Sequence, residues 1–376
     1  MTGRAAREPG LTELLAEVDG LLGEGADQWD MDGRLPEELL RELGARGVLC
    51  GQVAAAQGGL ALTSLDNGRL TAHVGTRCGS VRSVMTSQGM AAWTIQRLAD
   101  TGQTAELLPQ LVGGRLAAVA FSERGAGSDL SAMDTTIEVD GDSVVLNGNK
   151  VWVTAAAYAD QLVVFGRCAG GGAAVLVPTS AAGVEVDRIA NPMGCRAAGH
   201  ANVGFSDVRL PGTSVLGGTT GLPMPLLVTT ALAYGRFSVA WGCAGILSAC
   251  REAAARHAGA RSQFGKPLIA HQLVAGHIAE LYVAEQTVLR ACERASACWD
   301  ANSPELVMAV VLAKYVGATN ASKGAALAAQ VLASAGALDG HVVARAYRDA
   351  KLMEIIEGSN ELCQLLLAQH AAAMPS

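Results

Sequence analysis

The feature that most constrains this chain is its hydrophobic period, which switches twice. Up to about residue 117 apolar side chains recur at helical spacing, and from about 118 to 225 they alternate in short runs broken by glycine. Beyond that point they return to helical spacing in long alanine-rich stretches. A period of two presents a strand face and a period of 3.6 presents a helix face, so neither pattern serves the other structure. The order predicted is helices, then a sheet, then helices. With 376 residues, half of them apolar, the chain can hold two or three domains at roughly 100–200 residues each. The class is α+β, with a helical domain over 1–117, a β-sheet domain over 118–225 and a helical bundle over 226–376.

Leu11, Leu14, Leu15, Val18, Leu21 and Leu22 mark an amphipathic first helix. A second follows Pro36, carries Leu39, Leu40 and Leu43, and ends at Gly44 and Gly47. Residues from about Leu65 to Leu111 read as helix again. In the sheet region Thr136–Val139 meets a tight turn at Asp140-Gly141-Asp142, and Val144–Leu146 meets Asn147-Gly148, a hairpin signal. Further strands are expected at 151–154, 161–165, 174–177, 184–186 and 203–205. Four helices follow: Arg236–Ala260, Gln272–Cys298, one from Ser303-Pro304-Glu305 to Gly336, and Tyr347–Gln369.

Composition excludes several classes. Net charge is −7 without a basic run, which argues against nucleic acid. Arg4 and Arg7 precede an acidic amphipathic stretch rather than a signal-peptide core, and Arg236 and Lys314 break the two longest apolar runs, so no membrane span is expected. Nine cysteines form no C-x-x-C pair; Cys243 and Cys250, seven apart, read as small apolar residues on one helix face. The seven histidines show no ligand spacing. The expectation is a soluble, cytoplasmic, metal-free protein.

Five stretches carry candidate chemistry. Glu357 follows Ile355-Ile356 and precedes Gly358-Ser359, so it is either a surface acid at a helix end or a partly desolvated general base. Residues 120–129, with Ser122, Gly125, Gly127 and Ser128, are either a plain turn or a loop offering N–H groups and hydroxyls to a ligand. Trp152 and Thr154, two apart, should share one strand face, as core residues or as a platform for a planar ligand. Arg261 to Pro267 suits either a charged helix end or a pyrophosphate with an attached ring. Arg236, inside an apolar helix, needs an anionic or carbonyl partner.

Four runs taken together resemble the acyl-CoA dehydrogenase superfamily of flavoproteins over essentially the whole chain. They are Ser-Glu-x-Gly-Ala-Gly-Ser-Asp at 122–129, Asn-Gly-x-Lys-x-Trp-x-Thr at 147–154, Arg-x-Gln-Phe-Gly-Lys-Pro at 261–267, and Tyr-Arg-Asp-Ala-Lys through Glu-Gly-Ser at 347–359. The family fold is an N-terminal helical domain, a β-barrel-like middle domain and a C-terminal four-helix bundle. The resemblance implies FAD between the last two, reached by a neighbouring subunit of a homo-oligomer. It implies Phe121, Ser122, Trp152 and Thr154 at the flavin, Arg261, Phe264 and Gln330 from the neighbour, and Ser359 and Glu361 at the nucleotide half. Ser128 and Arg236 would bind substrate, and Glu357 would be the base. Some members carry the base just before the arginine matched by Arg236; Gly235 stands there in this chain.

Departures bear on the substrate. Arg124 replaces a proline, Ile356 a tyrosine, Ser359 a threonine, and Ala333-Ser334 a Gly-Gly pair. The narrower resemblance, in Met85–Trp93, Trp152–Asp160 and Lys351–Ser359, is to dehydrogenases of hydroxymalonyl and methoxymalonyl extender-unit pathways. It implies a three-carbon hydroxyacyl thioester on an acyl carrier protein. His200 could hydrogen-bond such a substrate, or be structural, and Arg77 and Arg82 are candidates for a basic carrier-protein patch. The alternatives are a short-chain acyl-CoA dehydrogenase, a flavin monooxygenase, and a helical interaction protein without flavin.

Overall fold

A computed structural model describes residues 10–374; Arg4 and Arg7 lie outside the described residues. Six helices come first: α1 (Leu11–Leu22), α2 (Ala26–Asp32), α3 (Glu37–Ala45), α4 (Ser64–Arg77), α5 (Gly79–Leu98) and α6 (Thr101–Val112). Leu14, Val18 and Leu22 form the buried stripe of α1, as their spacing requires. The stretch from Leu65 to Leu111 is helical as expected and is divided into three helices. Cys78 adopts an extended conformation between α4 and α5, and Asp100 starts α6 with a reciprocal capping box to Gln103.

Seven strands form the middle sheet: β1 (Ala117–Ala120), β2 (Thr136–Asp140), β3 (Ser143–Val153), β4 (Gln161–Cys168), β5 (Gly171–Pro178), β6 (Val184–Arg188) and β7 (Ala201–Pro211). Their order is β1-β4-β2-β3-β7-β6, with β5 paired to β4. The Asp140–Ser143 turn closes a hairpin as expected. The Asn147-Gly148 signal does not. β3 continues through it, with a register shift against β7 between Leu146 and Gly148. A bulge takes the place of a turn because Gly148 (φ 148°) crosses Thr135, whose Cα would lie 2.8 Å from any Cβ there. The Asn147 side chain is held instead by Asp207, donating at 3.1 Å and accepting that residue's N–H at 2.7 Å.

The C-terminal part holds α7 (Met224–Ala260), α8 (Gln272–Asp300), α9 (Leu306–Leu332), α10 (Val342–Met353) and α11 (Asn360–Ala373). A two-strand hairpin, β8 (Ser262–Gln263) and β9 (Lys266–Pro267), separates α7 from α8. α7, α8, α9 and α10 pack as a bundle, and α11 lies along α9. α7 starts well before Arg236. α9 starts after Ser303-Pro304, with Glu305 as its cap residue, and ends before Gly336 because Ala333 turns left-handed. The single last helix expected over 347–369 is two helices. The break between them carries Glu357.

One apolar core runs through α5, β1 and the C-terminal helices, the other through the first helices and the sheet. Cys243 and Cys250 are both buried in the first. α5 touches both, so it can carry contacts from one functional region to the other.

Candidate active site

α10 ends at Met353, and α11 begins when the Ser359 hydroxyl accepts the Leu362 N–H at 3.4 Å. In between, Glu357 (φ 56°) and Gly358 (φ 88°) are both left-handed, a conformation glycine tolerates and glutamate rarely adopts. Two buried cations hold this turn. From α7, Arg236 Nε donates to the Glu357 carbonyl at 3.0 Å. From α9, Lys314 Nζ donates to the Gly358 carbonyl at 2.7 Å and to Asn360 Oδ1 at 3.2 Å, with the Glu354 carbonyl at 3.5 Å. Asn360 closes the turn, its N–H donating to the Glu354 carbonyl at 2.8 Å and its Nδ2 to Thr319 Oγ1 at 3.2 Å.

The Glu357 carboxyl is treated differently. Its Oε2 is buried and has no hydrogen-bond partner. It rests on α7 at Gly235, where any Cβ would overlap it, and Met90 of α5 closes the other side, its Sδ 2.9 Å from that Cβ position. Burial raises the carboxyl from the ordinary 4.5 to about 7, against the opposing pull of Arg236, Lys314 and Arg82. A carboxyl near neutrality with an open lone pair can accept a proton from a bound molecule. The absence of a side chain at 235 is what makes room for it.

A second group lies beside the middle of α5. The Ser87 hydroxyl, one helical turn from Met90, donates to the Thr154 carbonyl at 3.0 Å and accepts the Val119 N–H at 3.4 Å. Thr154 Oγ1 lies 3.2 Å from His200 Nδ1, and the His200 and Trp152 rings are 5.8 Å apart. Burial, with Arg82 and Arg188, depresses His200 to about 4, and its Nε2 is buried without a partner. Trp152 is left-handed (φ 56°) at a second register shift, and Thr154 lies beyond the end of β3. Strand alternation therefore does not put the two on one face. Trp152 is 53% exposed, so it is no core residue but an uncovered aromatic plane.

The loop after β1 is held from below. Glu123 Oε1 accepts Lys150 Nζ at 2.7 Å, Thr135 N–H at 3.0 Å and the Thr135 hydroxyl at 2.5 Å, while Oε2 accepts the Asp134 N–H at 2.5 Å. Lys150 also donates to the Phe121 carbonyl at 3.0 Å, and the Ser122 carbonyl accepts the Val151 N–H at 2.8 Å. Phe121 is buried, stacked on Phe165 at 4.2 Å, so its ring packs the sheet while its neighbour Ser122 stays half-buried. Ser128 is exposed farther along. A cleft of about 510 Å³ bounded by Glu123, Arg124, Gly125, Asn149, Glu185 and Asn202 takes in part of the 120–129 loop but not Phe121, Ser122, Ser128, Trp152 or Thr154.

The remaining candidates lie apart. Arg261 and Phe264 flank and cap the β8–β9 hairpin, and Phe264 is 95% exposed. Gln330 is exposed near the end of α9, and Glu361 is exposed in the first turn of α11. The structure thus gathers Glu357, Arg236 and Ser359 around one turn and Trp152 and Thr154 around His200, while the hairpin and Gln330 face outward. Arg77 and Arg82 form no basic patch. Arg82 is 1% exposed and bonded to Thr86 Oγ1, and Arg77 is engaged by Asp19. Sequence reasoning missed Lys314, although the argument applied to Arg236 finds it: a cation in an alanine-rich helix needs a partner.

Profiles of the acyl-CoA dehydrogenase N-terminal, middle and C-terminal domains match residues 17–115, 118–208 and 226–372. This chain belongs to the acyl-CoA dehydrogenase family. It is a FAD-dependent oxidoreductase. Human mitochondrial short-chain specific acyl-CoA dehydrogenase is 30% identical over 352 residues, spanning 92% of this chain and 85% of its own. Glutaryl-CoA dehydrogenase of Desulfococcus multivorans is 30% identical over 357 residues, 91% of this chain and 90% of its own. Among solved structures, FkbI, for biosynthesis of the methoxymalonyl extender unit of the FK520 polyketide immunosuppressant, superposes with a TM-score of 0.92. It is 60% identical and covers 96% of this chain and 99% of FkbI. No described helix of this family member is long and apolar enough to cross a membrane.

Proposed function

We propose that this enzyme oxidises a three-carbon hydroxyacyl thioester on an acyl carrier protein, of the 2-hydroxy-3-oxopropionyl type, to the hydroxymalonyl thioester. The product would supply methoxymalonyl extender units for polyketide assembly in the cytoplasm. The 60% identity to FkbI along nearly the whole chain is the observation that carries this reading.

The site fits FAD. Trp152 offers an uncovered plane with the Thr154 hydroxyl near it, Ser122 sits at the loop edge, and Phe121 backs that loop. Ser359 and Glu361 begin α11, whose first N–H groups favour a pyrophosphate. The exposed Phe264, with Arg261 and Gln330, suits a flavin shared with a neighbouring copy of a homo-oligomer. The chemistry FAD would supply there, when held by these residues, is that of a hydride acceptor.

Glu357 acts as the base. Its open Oε2 takes the proton of one hydroxyl of the aldehyde hydrate as the C3–H pair departs as hydride. The C–O bond becomes the carboxyl carbonyl, and two electrons and two hydrogens leave the substrate. Ser128 and Arg236 are assigned to the substrate side, Arg236 through the turn it anchors. Intact-mass analysis of glyceryl-loaded carrier protein with a partner alcohol dehydrogenase tests this: a gain matching the carboxylate, only with this enzyme and FAD, is expected. The 30% identity to short-chain acyl-CoA dehydrogenase supports a second reading, formation of a 2,3-enoyl-CoA, for which a loss of two hydrogens from butyryl-CoA would be seen.

A further inference from the structure

We infer that Lys314 is a positioning residue that holds the Glu357 turn by its main chain and so keeps the carboxylate open for substrate. This rests on Glu357 being the base. Lys314 lies in the apolar α9 and is fully buried. An ammonium has three donors, and its acceptors here all belong to one segment: the carbonyls of Glu354 and Gly358 and the side chain of Asn360. None is the carboxylate.

Two consequences follow from that choice of acceptor. A glutamate in the left-handed region is strained and persists only where its surroundings over-determine it. Lys314 on one side and Arg236 on the other supply that restraint. The second consequence is electrostatic. The charged groups facing Glu357 are Arg236 from α7, Lys314 from α9 and Arg82 from α5. Lys314 lies near enough to oppose the effect of burial, yet occupies neither carboxylate oxygen. Were it bonded to the carboxylate, the acid would be tied up as Glu123 is by Lys150.

The test uses the FAD-loaded enzyme with Lys314→Met, and Lys314→Ala with and without added methylammonium. In Lys314→Met, substrate-driven flavin reduction should fall at least tenfold while the thioester Kd changes less than about threefold, since the turn touches the reacting proton. The pKa governing that rate should rise above its wild-type value, because a cation is gone. Amide exchange of the 354–362 peptide should speed up with other peptides unchanged. Methylammonium should restore part of the rate to Lys314→Ala. A wild-type rate and pKa in Lys314→Met would overturn the inference, as would a rate loss accompanied by general loosening and no methylammonium rescue. Should Lys314→Met fail to fold, the Lys314→Ala rescue decides alone. If Glu357→Gln keeps its rate, the base reading fails instead, whatever Lys314 does to exchange.

Discussion

Two buried lysine–glutamate arrangements in this molecule use the same residue types for opposite ends. In the middle sheet, Lys150 bonds the Glu123 carboxylate directly at 2.7 Å. Burial pushes Glu123 up, but the hydrogen bonds from Lys150, Thr135 and Asp134 outweigh it and hold the acid below the ordinary range. In the bundle, Lys314 bonds carbonyls beside Glu357, and the carboxyl rises to about 7 with one oxygen unpartnered. The first is a closed pair that fixes a loop. The second is a carboxyl near neutrality with an open lone pair. What separates them is which atoms the ammonium reaches, a matter of a few ångströms.

Breaking the open arrangement should have the largest effect. Glu357→Gln keeps the size of the side chain and removes its basicity, so flavin reduction by substrate should fall roughly 10²–10⁴-fold with FAD retained. Stopped-flow absorbance reads both. Breaking the closed pair should strike stability first, and with it the loop that carries Phe121 and Ser122. Lys150→Met strands a buried carboxylate and should cost about 3–5 kcal/mol by urea denaturation.

Gly235→Ala probes the room left for the carboxylate. Its Cβ would overlap Oε2, so the acid must move, and flavin reduction should drop about tenfold or more with stability little changed. The smallest effect is a contrast in pH dependence. Because the folded pKa of Glu357 exceeds its unfolded value of 4.5, its favourable contribution is complete below 4.5 and is lost as pH rises through about 7. Glu123, depressed on folding, contributes above 4.5 and loses that contribution as pH falls through its lower folded value. Urea midpoints from about pH 3 to 8 should show the slope between 4.5 and about 7 vanish in Glu357→Gln and the slope below 4.5 vanish in Glu123→Gln. The rate of flavin reduction should rise with pH through about 7 as Glu357 ionises.

Much of the architecture was legible because it follows from period. The stripe of Leu14, Val18 and Leu22, the turn at Asp140-Gly141-Asp142 and the switch from sheet to bundle are local patterns. The errors share a cause. Asn147-Gly148 is a bulge because Thr135 lies across it, Trp152 leaves strand geometry where β3 shifts against β7, and α10 and α11 divide where buried cations grip a turn. In each case a residue distant in sequence overrode a local preference. Arg82 shows the same limit, an arginine that reads as surface and is enclosed beside Met353 and Cys195.

The amino-acid order alone determined the three-part fold and pointed to Glu357, since periodicity and short runs of residue types are properties of neighbours along the chain. Only the tertiary structure decided that Gly235 makes room for the carboxylate and that Lys314 and Arg236 clasp its backbone. Those contacts join α7, α9 and the turn after α10, and hydrogen bonding acts over about 3 Å of space, whatever the separation in sequence.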